Sequence, residues 1–354
     1  MGIDLLRIVS MILIAMLHVL GQGGILGNAP KLSGNYNIAW LLESIAYPSV
    51  AAFGIIMGYV GYKREHKPSG FIYVWLQVVF YTTIITLLFM GLKPQAVNGS
   101  MIKYMLTPVL SEQYWYITAY LGLFLFMDGI NLVVLEAPRV KLKIMIIASV
   151  MLFSILPIFA DTDAFALRYG CSIICVGCFY FYGAYIKKYN CFEEYTNLNL
   201  ILICALGIVV NFGSKLFIEV FLASASANPD IGNVLFNYNA PTVMLSASML
   251  VVLFSRIKLK GVVAKIVKAV TPMTLGVYLI NTHPLIFKYI MEDRYASFAE
   301  GSLIKLIIGT VLSALLIYFA GIAIDGIRFI IFEILHLKAH LVAVENYILK
   351  KCDR

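Results

Sequence analysis

Residues 3–25 read IDLLRIVSMILIAMLHVLGQGGI. The run is almost uniformly apolar, and it is longer than the about 20 residues that a helix needs to cross the hydrocarbon core of a bilayer. Three ionisable side chains nevertheless lie within it, namely Asp4, Arg7 and His18. The stretch therefore predicts a first membrane-spanning helix that carries its own polar face.

Nine further apolar segments follow along the chain. Hydrophobic residues make up 61% of the 354 residues and charged residues only 13%, with a mean hydropathy of +0.88. Soluble domains carry about 25% charged residues, so much of this apolar surface must face lipid. We predict an all-α, polytopic transmembrane bundle of about ten spans, at residues 3–25, 39–62, 71–92, 114–135, 142–160, 168–187, 198–219, 240–255, 270–290 and 302–333.

Lysine and arginine are unevenly distributed between the two sides of this bundle. Because positively charged loops stay in the cytoplasm, both termini are predicted to be cytoplasmic, with a membrane domain at 1–333 and a short basic tail at 334–354. The net charge of +8 lies in short loops, so nucleic acid is not an expected partner. The cations concentrate in segments 63–70, 136–143, 187–197, 255–268 and 334–354.

The ionisable residues of the first span share one stripe of the helix. Asp4 and Arg7 are three residues apart, and Arg7 and His18 are eleven apart, close to three full turns. Each such residue costs about 2.5–3.5 kcal/mol on insertion scales, which makes it a functional candidate. Asp4 and Arg7 can also be read as an interfacial ion pair that reaches toward the headgroups. His18 is about 16 Å further across the membrane than Arg7, at 1.5 Å per residue.

Glu43 lies near the outer end of the second span, at a depth similar to that of His18. Consecutive spans are usually neighbours, so the sequence predicts a hydrogen bond from Glu43 that orients the His18 imidazole as a general base. The alternative is that Glu43 faces the outer headgroups.

Metal ligation is not predicted. Cys171, Cys175 and Cys178 lie in an apolar segment, where thiols are common packing residues. His336 and His340 are four residues apart in the tail but have no third ligand near them in the sequence.

Arg7, ten intervening residues and His18 at the start of the first span resemble the signature of the acyltransferase-3 family. Further elements follow in the family's order. Residues 4–8 resemble its opening, 53–59 its second-span F-x-x-x-x-G-Y element, 114–120 its fourth-span aromatic start and 274–280 its ninth-span G-x-Y-L-I element. The resemblance covers about residues 1–330.

Two positions depart from the family pattern. Many members have histidine directly after Tyr-Leu-Ile, whereas this chain has Asn281, with His283 two places later. The Arg-x-x-Arg motif after the second span reads Arg64 to Lys67 here, which keeps the charge but loses the bidentate geometry of arginine.

The resemblance implies a bacterial plasma-membrane enzyme that O-acylates a cell-envelope or exported polysaccharide, or its lipid-linked precursor. The implied donor is acyl-CoA, usually acetyl-CoA, and any further acyl-accepting partner would be a separate extracytoplasmic protein. Membrane lipid surrounds such an enzyme.

The same resemblance gives roles to individual residues. His18 would act as general base or as acyl carrier, with Arg7 and Glu43 beside it. Arg7, Arg64 and Lys67 would hold the donor, although cytoplasmic cations are also explained by topology alone. The expected acceptor-binding residues are Trp115, Tyr116, Arg168 and His283; for the two aromatic residues an interfacial belt is the alternative, and for Arg168 an interfacial anchor.

A rival reading is a secondary transporter or lipid-linked glycan flippase. In it, Asp4, Arg7 and His18 would form a proton or substrate path. Internal symmetry between the two halves would favour this reading, and none is evident in the sequence.

Overall fold

The computed structural model describes residues 1–111, 114–160, 162–221 and 235–352. Within these ranges the chain forms helices and no strands. The helices are α1 (Gly2–Leu20), α2 (Ile25–Asn28), α3 (Gly34–Ala46), α4 (Pro48–Gly61), α5 (Pro68–Leu92), α6 (Gly99–Leu106), α7 (Trp115–Glu136), α8 (Arg139–Val150), α9 (Ile173–Lys188), α10 (Asn197–Phe221), α11 (Pro241–Ser255), α12 (Gly261–Val270), α13 (Thr274–Asn281), α14 (Pro284–Ile286), α15 (Leu303–Ile334) and α16 (Leu337–Cys352).

Eight helical segments of the described part are long and apolar enough to cross a membrane. The all-α, multi-pass prediction is therefore confirmed, whereas neither the count of ten nor the side of the termini is. Two predicted spans form shorter helices, α9 with 16 residues and α11 with 15. The eight segments are Gly2–Asn28, Gly34–Gly61, Pro68–Leu92, Trp115–Glu136, Arg139–Phe159, Asn197–Phe221, Gly261–Asn281 and Leu303–Ile334.

The outer surface of the bundle is apolar. Large hydrophobic side chains are exposed on most of the long helices, among them Leu88 on α5, Phe126 on α7 and Leu316 on α15. A soluble monomer rarely exposes so large an apolar surface. This surface suits lipid contact, with the backbone polar groups satisfied inside the helices.

Helix α1 lies at the centre of the bundle. It packs against α3, α4, α11, α13 and α15, and its buried residues include Leu6, Ala15 and Leu20. The side chains that it presents to these neighbours are therefore enclosed by protein. This position explains how polar residues can lie within a membrane-spanning helix.

Helices α4 and α9 approach each other at backbone distance. A Cβ atom at Gly58 would lie 1.7 Å from the carbonyl oxygen of Tyr180, and one at Gly183 would lie 1.9 Å from that of Ile55. Small residues allow this contact in the way that small-xxx-small pairs do in membrane helices.

Two of the membrane-spanning segments that border the candidate site are broken at proline. The segment Gly34–Gly61 changes helix at Tyr47, before Pro48, and the segment Gly261–Asn281 passes through a 3₁₀ turn at Thr271–Met273. Proline removes an intrahelical hydrogen bond and so favours a break. Both breaks lie beside the cavity described below.

A buried ion pair within α15 lies against α13. Arg328 donates from Nε to Asp325 Oδ1 at 3.0 Å, and Tyr81 donates to the same oxygen at 2.6 Å. Gly276 lies so close that a Cβ atom there would be 2.1 Å from Asp325 Oδ1. Thus the backbone of α13 is held at one height relative to α15.

The segment predicted as a basic tail forms α16, which packs against α5 and α15. Residues 353–354 of the predicted tail lie outside the described residues.

Candidate active site

A cavity of about 190 Å³ lies within the bundle beside α1. Its wall combines the two polar residues of α1 with apolar and aromatic side chains. Largely apolar cavities with a few convergent polar groups are the usual form of small-molecule sites. The lining residues are Arg7, Met11, Ile14, Leu17, His18, Val50, Phe53, Trp115, Tyr116, Tyr238, Thr271, Thr274, Leu275 and Tyr278.

Arg7 lines this cavity and is also ion-paired. Its Nη1 lies 2.6 Å from Asp4 Oδ1, so the pairing expected from the sequence spacing is present. Arg64 lies near enough for its positive charge to act on Arg7. The Arg7 guanidinium has one partner carboxylate, and the positive charge of Arg64 lies nearby, so this end of the cavity is suited to an anion.

His18 lies on the same cavity, eleven residues further along α1. Its Nδ1 lies 2.6 Å from Nδ2 of Asn281 on α13. The partner predicted for this ring was Glu43, and the structure places Asn281 there instead. An imidazole held at Nδ1 can present Nε2 to the cavity as a proton donor or acceptor.

Glu43 is 8% exposed and belongs to a neighbouring polar cluster. It lies near Tyr47 and Tyr238, and the charge of Lys215 on α10 acts on it. Its Oε2 is buried and has no hydrogen-bond partner among the described residues. Glu43 therefore lies near Tyr238, which lines the cavity, but is not itself a lining residue.

The same cluster contains a buried ion pair. Lys215 is 1% exposed, lies 2.8 Å from Glu219 Oε1, and stacks at 3.5 Å over the ring of Trp40. Tyr36 donates to Glu219 at 2.6 Å. These contacts join α3 to α10 and explain why the polar side of α3 turns away from His18.

Arg64 and Lys67 lie in an exposed loop between α4 and α5, outside the cavity lining. The loop is held by α7. Asn131 donates to the Arg64 carbonyl at 3.1 Å, and His66 lies 2.7 Å from Asp128. The loop is thereby fixed next to the Arg7 end of the cavity.

Trp115 and Tyr116 begin α7 and line the cavity. The Trp115 ring is stacked on Tyr238, with centroids 5.8 Å apart and planes at 12°. The Tyr116 hydroxyl is buried and has no partner among the described residues, so it is available to a ligand in the cavity.

Trp115 also lines a second cavity, of about 280 Å³, whose wall includes Arg168 and Ser172. The loop before α9 shapes it, since Asp163 accepts from the backbone N–H of both Leu167 and Arg168 at 2.7 Å. Arg168 is therefore separated from the first cavity by Trp115.

His283 lies apart from both cavities. It is buried, and its Nδ1 accepts from Leu285 N–H at 3.2 Å, which caps α14. It lies beside Thr82 and Thr86 of α5. The structure thus brings Arg7, His18, Trp115 and Tyr116 together and leaves His283 elsewhere.

Three residues at the site were not foreseen from the sequence: Tyr238 and Tyr278 in the wall, and Asn281 on His18. For Asn281, the sequence signal that could have indicated a role at the site was its departure from the family pattern.

All six cysteines are free thiols. Among the described residues, no group of three His, Cys, Asp or Glu side chains is arranged to hold a metal ion.

Comparison with known families adds one finding. A family model described as an acyltransferase domain matches residues 2–324. No curated protein and no solved structure matches the chain. The matched range contains every lining residue of both cavities.

Proposed function

The chain belongs to the acyltransferase-3 family, and we propose that it transfers an acetyl group from acetyl-CoA to a hydroxyl of a cell-envelope or exported polysaccharide. Membership makes the protein a multi-pass membrane acyltransferase. The proposal of acetyl transfer from acetyl-CoA to a polysaccharide rests on one cavity, which has Arg7 at one end and His18 further along α1. We propose that the enzyme is located in the bacterial plasma membrane.

The donor would enter from the Arg7 end. Coenzyme A carries phosphates, which suit the guanidinium groups of Arg7 and Arg64, and Lys67 adds charge in the same loop. The pantetheine arm would lie along α1 and bring the thioester to His18, about 16 Å away at 1.5 Å per residue. The unpaired hydroxyl of Tyr116 could hydrogen-bond an amide of this arm.

His18 would then carry the proton transfer. Its Nε2 takes the proton of the acceptor hydroxyl, the hydroxyl oxygen attacks the thioester carbonyl, and the C–S bond breaks. The departing thiolate receives the proton from the imidazolium. In the alternative sequence the imidazole first accepts the acetyl group and then passes it to the hydroxyl. Glu43, which lies near Tyr238 but outside the cavity lining, would influence this site through its charge rather than by direct contact.

The acceptor would approach through the second cavity. Trp115 forms part of both walls, and an indole ring can stack on the apolar face of a sugar. Arg168 would contact an anionic group of the glycan or of its lipid carrier. The sugar hydroxyl must pass Trp115 to reach His18, so movement of this ring would accompany acceptor binding.

A reconstituted transfer assay tests this proposal. We expect purified protein in proteoliposomes, given radiolabelled acetyl-CoA and an envelope polysaccharide or lipid-linked glycan, to yield alkali-labile label on the glycan. Protein-free liposomes provide the control. Movement of glycan across the bilayer without label would contradict the proposal and support a transporter or flippase.

Replacement of Arg7 tests donor binding. Loss of a hydrogen bond to a charged group costs about 1.5–3 kcal/mol, so Arg7→Met should raise the KM for acetyl-CoA by roughly 10–100-fold at about 1.4 kcal/mol per tenfold. Arg7→Lys should show a smaller rise because it keeps the charge.

The matched control is Lys143→Met, which removes an exposed cation on α8 away from the cavity. Steady-state kinetics against acetyl-CoA concentration provide the measurement. Equal KM values for wild type and Arg7→Met would exclude Arg7 from donor binding.

A further inference from the structure

We propose that Asn281 is a positioning residue for His18, fixing the imidazole ring and deciding which ring nitrogen faces the cavity. The inference rests on the proposed function because it assigns a role through His18. The contact that supports this role is the 2.6 Å separation between Asn281 Nδ2 and His18 Nδ1. Asn281 itself is not part of the cavity wall, so it acts through the histidine and not on a substrate.

The support behind Asn281 is rigid. It is the last residue of α13, which is held by the close packing of Gly276 on Asp325. On another side, Tyr114 donates to the carbonyl of Leu279 at 3.1 Å. Asn281 is also buried, at 6% exposure. A side chain anchored in this way can hold a partner ring in one orientation.

An amide can serve His18 in both of its protonation states. With Nδ2–H donating to Nδ1, the neutral ring carries its proton on Nε2. After a half-turn of the amide, Oδ1 accepts from Nδ1–H, which leaves the Nε2 lone pair free to act as base or nucleophile. That second arrangement also accommodates the imidazolium that forms when Nε2 takes the hydroxyl proton.

A carboxylate in the same place would act differently. It can only accept a hydrogen bond, and its charge favours the imidazolium. Histidine paired with asparagine occurs in cysteine-protease triads, where the amide orients the ring without fixing its charge. Asn281 therefore allows His18 to gain and lose a proton within one catalytic cycle.

The other titratable groups near α1 stay unchanged in the variants below. They lie on the elements packed around α1 or in the cavity wall, and none of them hydrogen-bonds the ring. These groups are Arg7, Glu43, Tyr116, Tyr238, Tyr278, Asp293 and Tyr318.

The test compares two replacements of Asn281 in the full-length protein in proteoliposomes. Asn281→Leu keeps the size of the side chain but removes the hydrogen bond. We expect kcat to fall about 10–100-fold, the usual effect of removing a group that orients a functional histidine, while the KM for acetyl-CoA stays within about twofold of wild type.

Asn281→Asp is expected to retain turnover and to move the acidic limb of the pH–kcat profile to higher pH, because the carboxylate stabilises the imidazolium. A purely structural role would change protein yield but not this profile. Thr282→Ala is the matched control, since the Thr282 hydroxyl bonds the Tyr278 carbonyl and does not touch His18; it should match wild type in kcat and profile.

Wild-type kcat in Asn281→Leu, or an unshifted profile in Asn281→Asp, would overturn the positioning role. If Asn281→Leu does not fold, the pH–kcat profile of the isosteric Asn281→Asp variant alone tests the positioning role. Absence of transfer by the wild type, or full activity of His18→Ala, would instead reject the proposed function, so the two failures are distinguishable.

Discussion

His18→Gln is expected to lose nearly all acyl transfer while the protein stays folded. General acid–base catalysis contributes about 10²–10⁴-fold, and the loss would be larger if the imidazole carries the acetyl group. Glutamine keeps a polar group near Asn281, so the α1–α13 contact should survive. The measurement is the initial rate of label transfer from acetyl-CoA to glycan, with the KM for the donor recorded in parallel.

The control for this experiment is His340→Gln, which changes an exposed histidine on α16 outside both cavities. It should match wild type in rate and in KM. A His18→Gln protein that is monodisperse in detergent and transfers acetyl at the wild-type rate would remove His18 from the mechanism.

Gly58→Val is expected to prevent folding. A Cβ atom at this position would lie 1.7 Å from the Tyr180 carbonyl oxygen, and both atoms belong to backbone. No side chain can move to relieve the clash, so α4 and α9 must separate. The cost should exceed the about 1–3 kcal/mol of ordinary overpacking. We expect little monodisperse protein in detergent and a thermal unfolding midpoint far below that of wild type.

Gly129→Ala provides the comparison. Gly129 lies in α7, and a Cβ atom there meets nothing within 4 Å. This variant should be as stable as wild type or slightly more stable, because alanine favours helix. Equal yield and equal unfolding midpoint for Gly58→Val and wild type would show that α4 and α9 do not pack closely at Gly58.

The shared location of Arg7 and His18 was predictable because it depends only on their spacing within one helix. A helix of 3.6 residues per turn places Arg7 and His18 on one stripe, and the structure places both on one cavity. Lipid cannot solvate such a stripe, so protein must cover it. Periodicity alone therefore indicated an enclosed polar site.

The partner of His18 was not predictable in the same way. Asn281 is 263 residues away in sequence, and only the packing of α13 on α1 brings it near. Glu43 was expected there because neighbouring spans commonly touch. The break before Pro48 and the contact of α3 with Lys215 on α10 turn it elsewhere.

The number of spans depends on α9 and α11, two helices within segments that the sequence predicts as spans. Apolar length identifies a span only when it reaches about 20 residues, and α9 and α11 are shorter than this. Both nevertheless pack against α4 inside the bundle. Burial by neighbouring helices, which hydropathy does not record, determines where these two belong.

Because one helix holds both Arg7 and His18, their relation depends on the length of α1 as well as on their identity. A single residue inserted between them would turn His18 by about 100° around the helix axis and shift it by about 1.5 Å. The histidine would then leave the cavity although no functional residue had been lost. Substitutions elsewhere on α1 preserve this rotational phase, whereas insertions and deletions between the two residues destroy it.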